Sequence, residues 1–169
     1  MQHTRQIDAT EALKYFEKLD KTKDLRNEDL SYLWDWDPLK RPNLDATYYV
    51  VADKTGEVLF IRTILKKGVS PYIEIFFYRI SQNSPAIKHE WLKTAIEEKI
   101  LSESIKKDAD YISANPVTHE LEVYRQLENK MPIYDSDYNS IQKVEIKTGP
   151  GSPSSYRVVM RVCKCKENE

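Results

Sequence analysis

The chain has 169 residues, enough for one domain with a packed core in which about two-thirds of the unfolded chain's surface can be buried. Its 26 Lys and Arg against 27 Asp and Glu give a formal charge of −1, which excludes a global electrostatic pull toward nucleic acid or an anionic membrane. No apolar run approaches the roughly 18 residues of a membrane span, and MQHTRQIDATEAL lacks the apolar middle of a secretory signal, so a soluble, cytoplasmic single domain over residues 1–169 is expected.

Residues 8–19 (DATEALKYFEKL) carry Ala9, Ala12, Leu13, Phe16 and Leu19 at three-and-four spacing, which predicts an amphipathic helix capped by Asp8 or Thr10. A second short helix is expected over residues 27–34, ended by DWDPLKRPN, whose prolines break any regular pattern. Residues 46–66 contain two β-branched and aromatic runs around Asp53-Lys54-Thr55-Gly56, the chemistry of a hairpin turn. PYIEIFFYRI, from Pro71, is apolar at nearly every position, which predicts a strand covered on both faces in the middle of the sheet.

Ser84-Pro85 predicts a helix start, because Ser accepts a bond from an orphan amide and Pro loses nothing at the first helical position. Ile87, Trp91, Leu92, Ala95, Ile96, Ile100 and Ile105 continue it to about Lys107. ADYISAN predicts a short strand and residues 118–130 a helix with Leu121, Tyr124 and Leu127 in register. Residues 143–147 and 156–162 predict two last strands joined by the flexible GPGSPSS. Cys163 and Cys165 would share a strand face, where a bond between them is strained, so both are expected as reduced thiols. A closed zinc site needs four ligands, and His3, His89 and His119 are scattered, so no metal is expected. Glycine is scarce, four where average usage gives roughly twelve.

This order of elements predicts an α/β (α+β) layer with helices on both faces of one sheet. In that order, and in DADYISANPVTHELEVYRQLENK, the chain resembles the GNAT acyltransferases over residues 8–163. The stretch is similar to that family's strand, Asn-containing turn and tyrosine-bearing helix. The resemblance implies a mixed, mostly antiparallel sheet of about six to seven strands and transfer of an acyl group from acetyl-CoA to an amine. It further implies that the strand over residues 72–80 splays from its neighbour and pairs with the pantetheine arm, placing Phe77, Tyr78 and Arg79 near the cofactor. The start of the next helix, with Gln82, Asn83, Ser84, Ala86 and Ile87, would meet the pyrophosphate, where orphan amides and the helix dipole favour an anion. This chain departs from the family in two places. The glycine-bearing pyrophosphate pattern is replaced by Gln82-Asn83-Ser84-Pro85-Ala86-Ile87, in which Pro85 also removes a donor, and the usual Gly-Phe after the tyrosine is replaced by Asn129-Lys130.

Several residues have a functional and a structural reading. By resemblance, Glu74 draws a proton from the amine, directly or through water; the alternative is a carboxylate paired with Lys or Arg at a sheet face. Tyr124 corresponds to the tyrosine that protonates the departing thiolate, or is a core tyrosine. Asn115 is by resemblance a candidate cofactor contact, or it satisfies backbone groups in the turn after its strand. Trp34, Asp35, Trp36 and Asp37 either grip an amine-bearing substrate or partner, or pin a loop to the core. Two functions are compatible with these residues: an acetyl-CoA-dependent enzyme acting on an amine of a small molecule or protein, or an inactive binding module of the same fold that has lost the cofactor and engages a protein partner.

Overall fold

The computed structural model describes residues 3–22, 45–80, 85–116, 118–148 and 156–165. The expected helix at residues 27–34, the Trp34–Asp37 stretch, Gln82, Asn83, Ser84 and GPGSPSS lie outside the described residues. In chain order the elements are β1 (His3–Ile7), α1 (Ala9–Thr22), β2 (Ala46–Asp53), β3 (Gly56–Lys66), β4 (Tyr72–Arg79) and α2 (His89–Ala95). A π-helical turn (Ile96–Ile100) leads directly into α3 (Leu101–Lys106), and then come β5 (Tyr111–Ala114), α4 (Thr118–Glu128), β6 (Ile133–Tyr134), β7 (Ser140–Thr148) and β8 (Tyr156–Cys163).

The strands form one eight-stranded sheet in the order β1-β2-β3-β4-β5-β8-β7-β6, one or two strands more than expected. The additions are β1 and β6. HTRQI buries only Thr4 and Ile7, so β1 lacks the alternating apolar pattern that betrays a strand, and β6 has only two residues. All pairings are antiparallel except β4 with β5.

Local chemistry explains the well-anticipated elements. Asp8 accepts the Glu11 N–H at 2.8 Å and so caps α1. In the β2–β3 turn the Asp53 carboxylate accepts the Thr55 N–H (2.8 Å) and hydroxyl (2.6 Å), and Gly56 takes φ of 118°, open to glycine and strained for other residues.

Two cores sandwich the sheet. The larger lies under α2, α3 and α4 and joins Ile61, Ile73, Ile75, Phe77, Trp91, Leu92, Tyr124 and Leu127. The smaller lies under α1 and joins Ala12, Phe16, Tyr48, Phe60, Tyr78 and Ile80. The buried Arg62 belongs to this side, its guanidinium 4.6 Å from the Phe76 ring centroid and 5.6 Å from that of Phe16, where cation–π attraction offsets part of its desolvation.

The expectation that β4 is covered on both faces is corrected. Ile73, Ile75 and Phe77 are buried on the α2 side, whereas on the other side Tyr78 is buried and Tyr72, Glu74 and Phe76 are half-exposed. The long helix also departs from its expected register. One extra residue in the π-helical turn rotates the next turns of helix, so that Glu103 and Ser104 point inward while Ile105 is half-exposed. The buried Glu103 carboxylate is satisfied by the Tyr49 hydroxyl (2.7 Å) and the Thr63 hydroxyl (2.8 Å and 2.9 Å).

Candidate active site at the fork between β4 and β5

The β4–β5 ladder pairs Tyr72 with Tyr111, Ile73 with Ile112 and Glu74 with Ser113, and stops there. β5 ends at Ala114, and the adjoining Asn115-Pro116 cannot extend it, because proline lacks an N–H and restricts the residue before it. β4 runs on to Arg79, still held by β3 through the Leu59–Arg79 pair. Beyond Glu74 the two strands therefore part, and residues 75–79 border an opening in the middle of the sheet. Asn115 is exposed at its lip.

Alternation along β4 assigns Glu74 and Phe77 to opposite sheet faces. On the Phe77 side stands Tyr124, fully buried, its ring 5.9 Å from that of Phe77. Its hydroxyl makes no hydrogen bond among the described residues. Burial, and secondarily the charge of Glu120, push the phenol's pKa well above its usual value, so it keeps its proton throughout the neutral range. A buried hydroxyl without a partner costs about 1–3 kcal/mol, which makes this atom a natural contact for a polar ligand atom in the fork.

On the opposite face Glu74 is half-buried beside the buried Ser113. Tyr72 stacks on Tyr111 with centroids 4.8 Å apart and planes 10° from parallel. Arg157 of β8 donates from Nη2 to the Tyr111 hydroxyl (3.0 Å) and from Nε to Ser113 Oγ (3.4 Å), and its guanidinium lies 5.6 Å from the Tyr72 ring centroid. Partial burial and the charge of Glu74 raise the Tyr72 pKa, while Arg157 opposes the shift.

At the far end of the opening, the helix does not begin at Pro85 as expected. Residues 85–88 are non-helical, Lys88 is extended (φ −103°, ψ 140°), and α2 starts at His89. The Ser-Pro signal is local, whereas the start is decided by tertiary packing, with Ile87 set partly against the main core. Pro85, Ala86 and Lys88 are exposed, and His89 is half-buried. Lys88, whose ammonium lies 5.7 Å from the Trp91 ring centroid, brings a cation to this end of the fork. Sequence reasoning missed it, since a lysine there is informative only once the helix start is known. Of the cofactor contacts expected by resemblance, Phe77 and Tyr78 bury their side chains in the two cores, leaving the backbone of β4 as the part they can offer, while Arg79 is half-exposed.

Two cavities lined by described residues lie away from the fork. One, of about 490 Å³, is bounded by Arg5, Glu11, Lys14, Tyr15 and Glu57; the other, of about 310 Å³, lies along α3 beside Tyr49 and Glu103. Among the described residues there is no cluster of three His, Cys, Asp or Glu side chains able to hold a metal, and no helix long and apolar enough to cross a membrane. Cys163 and Cys165 are both free thiols.

No family model and no curated protein sequence matches the chain. Solved structures match it over nearly its whole length. A Desulfovibrio desulfuricans protein assigned to the GNAT acetyltransferases superposes with a TM-score of 0.59 at 9% identity, covering 96% of this chain and 99% of that one. The aminoglycoside acetyltransferase AAC(6')-Ib, in complex with paromomycin and acetyl-CoA, gives a TM-score of 0.55 at 10% identity, covering 96% and 93%. The N-acetyltransferase PseH of Campylobacter jejuni gives 0.51 at 11% identity, covering 95% and 97%. The chain has the GNAT fold, and the neighbours found are acetyltransferases.

Proposed function

We propose that this chain is an N-acyltransferase that uses acetyl-CoA and acts on an amine. The observation that carries this reading is the fork in the sheet with the phenol of Tyr124, unpartnered among the described residues, buried on one side of it. The β4 edge over residues 75–79 would hold the pantetheine arm by strand-like pairing, and the exposed approach to α2, with Ala86, Lys88 and the neighbouring Gln82, Asn83 and Ser84, would meet the pyrophosphate. Exposure of Pro85, Ala86 and Lys88 supports access there despite the absence of glycine. When bound, acetyl-CoA supplies an acetyl group activated as a thioester.

Glu74, half-buried at the base of the fork, takes the proton from the acceptor's ammonium so that the nitrogen has a free lone pair. Tyr124 holds a proton at its phenol oxygen for the departing sulfur, a task suited to a group that burial keeps protonated. The acid and base candidates stand on opposite faces, so the acceptor approaches from the Glu74 side.

Titration calorimetry and thermal melting with coenzyme A and acetyl-CoA test the reading. A ligand at a hundredfold excess over its Kd raises stability by about 2.7 kcal/mol, and a melting shift of that order is expected. Tyr124→Phe should keep coenzyme A binding and lower turnover about a hundredfold, the smaller end of what a general acid supplies. A melting curve unmoved by millimolar acetyl-CoA would remove the proposal.

A further inference from the structure

We propose, resting on the acyl-transfer reading above, that the acceptor carries an anionic group, a carboxylate or a phosphate, in addition to its amine. The face of the sheet that presents Glu74 continues across β5 to β8 and β7, where the described residues include Arg157, Arg161 and Lys147 beside Glu145. Arg157 and Arg161 are both exposed, with guanidinium carbons 5.9 Å and 5.3 Å from the Tyr111 ring centroid. Among the described residues neither guanidinium is paired with a carboxylate. Lys147 stands directly opposite Arg157 in the β7–β8 ladder, a cross-strand pair of like charges in which Lys147 has Glu145 as its counter-ion and Arg157 has no carboxylate among the described residues. The neighbouring carboxylate on β7, Glu145, already faces two cations, Lys143 at 3.8 Å and Lys147 at 3.6 Å.

Arg157 is also oriented. Its bonds to the Tyr111 hydroxyl and Ser113 Oγ fix the plane of the guanidinium, and an arginine has five N–H donors, so these two bonds leave others to meet a planar or tetrahedral oxyanion. Strands are about 4.8 Å apart, which separates the backbones of Glu74 and β8 by about 10 Å. The lean of Arg157 back over Ser113, the register partner of Glu74, shortens the gap between the charged tips. An amine at Glu74 and an oxyanion at Arg157 therefore fit one small zwitterion, with the Tyr72–Tyr111 stack as its floor. This differs from the acceptors in the AAC(6')-Ib complexes, paromomycin and kanamycin, which carry amines but no anionic group.

The test pairs acceptors that differ only in the anion: glucosamine against glucosamine 6-phosphate, tyramine against tyrosine, with kanamycin as the polycation. Free thiol release measures kcat/KM, and amide shifts of Tyr111 and Ser113 measure binding without turnover. A preference of about tenfold or more for an anionic member of a pair is expected, reduced about tenfold by Arg157→Gln or Arg161→Gln through KM, with coenzyme A affinity unchanged. Equal use of both members of each pair, or preference for kanamycin, would overturn the inference. If coenzyme A itself does not bind, the acyl-transfer reading falls. The amide titration then decides the anion site alone: shifts confined to anionic members and lost in Arg157→Gln support it, and equal or absent shifts end it.

Discussion

Tyr49 and Tyr124 are both buried phenols on the same side of the sheet, and they have opposite fates. Tyr49 donates at 2.7 Å to Glu103, which also accepts from Thr63, so every member of that small network has a partner. Tyr124 donates to nothing among the described residues. The first arrangement fastens the long helix to β2 and β3. The second leaves a buried hydroxyl that nothing among the described residues satisfies. Burial alone does not distinguish a structural polar group from a functional one; the completeness of its hydrogen bonding does.

The largest effect expected from breaking this contrast is at Glu103. Glu103→Ala orphans the hydroxyls of Tyr49 and Thr63 and should cost about 3 kcal/mol in urea denaturation, whereas Glu103→Gln, which keeps an acceptor, should cost less. Alkaline pH acts next. Burial raises both phenols above their unfolded value, and the charge of Glu103 adds to it at Tyr49. Their folded pKa values lie above the unfolded one, so the folded state binds more protons. Stability is then intact below about pH 10 and falls as pH rises beyond it, by about 1.4 kcal/mol per pH unit for each phenol. Denaturation midpoints at pH 9 and 11 would show it, and a flat profile would contradict the burial of both groups.

Tyr124→Phe should raise the stability of the free protein by about 1 kcal/mol, because it deletes an unsatisfied buried hydroxyl, even as it lowers turnover. It should also make the alkaline slope shallower. A destabilised Tyr124→Phe would mean the phenol has a structural partner after all. The smallest change is at the cap of α1, where Asp8→Ala should cost about 0.5–1 kcal/mol by thermal melting and leave the proposed acetyl transfer unaffected.

Much of the architecture is legible in residue order. The β2–β3 hairpin, α1 with a cap at Asp8 or Thr10, and the buried positions Leu121, Tyr124 and Leu127 arise from periodicity and turn chemistry that act over a few residues, and the structure selects Asp8. β1 is not legible, because an edge strand with Thr4 and Ile7 as its buried residues has no apolar rhythm. Nor is the inward turn of Glu103, since one added residue in the π-helical turn moves every later side chain. At the site, Glu74 and Tyr124 stand out as residues, but not their placement on opposite faces of a fork. Arg157 and Arg161 are invisible as candidates, because on paper they are two exposed arginines in a late strand.

What the order of amino acids determines here is local: which stretches become helix or strand, which side of each is apolar, and where turns fall, because those depend on neighbours a few positions away. Only the folded chain decides where β5 stops short of β4, that Tyr124 finds no partner among the described residues, and that residues 74, 113 and 157 share one face. Those outcomes depend on strand register and on packing between segments far apart in the chain, and no spacing within any one segment encodes them.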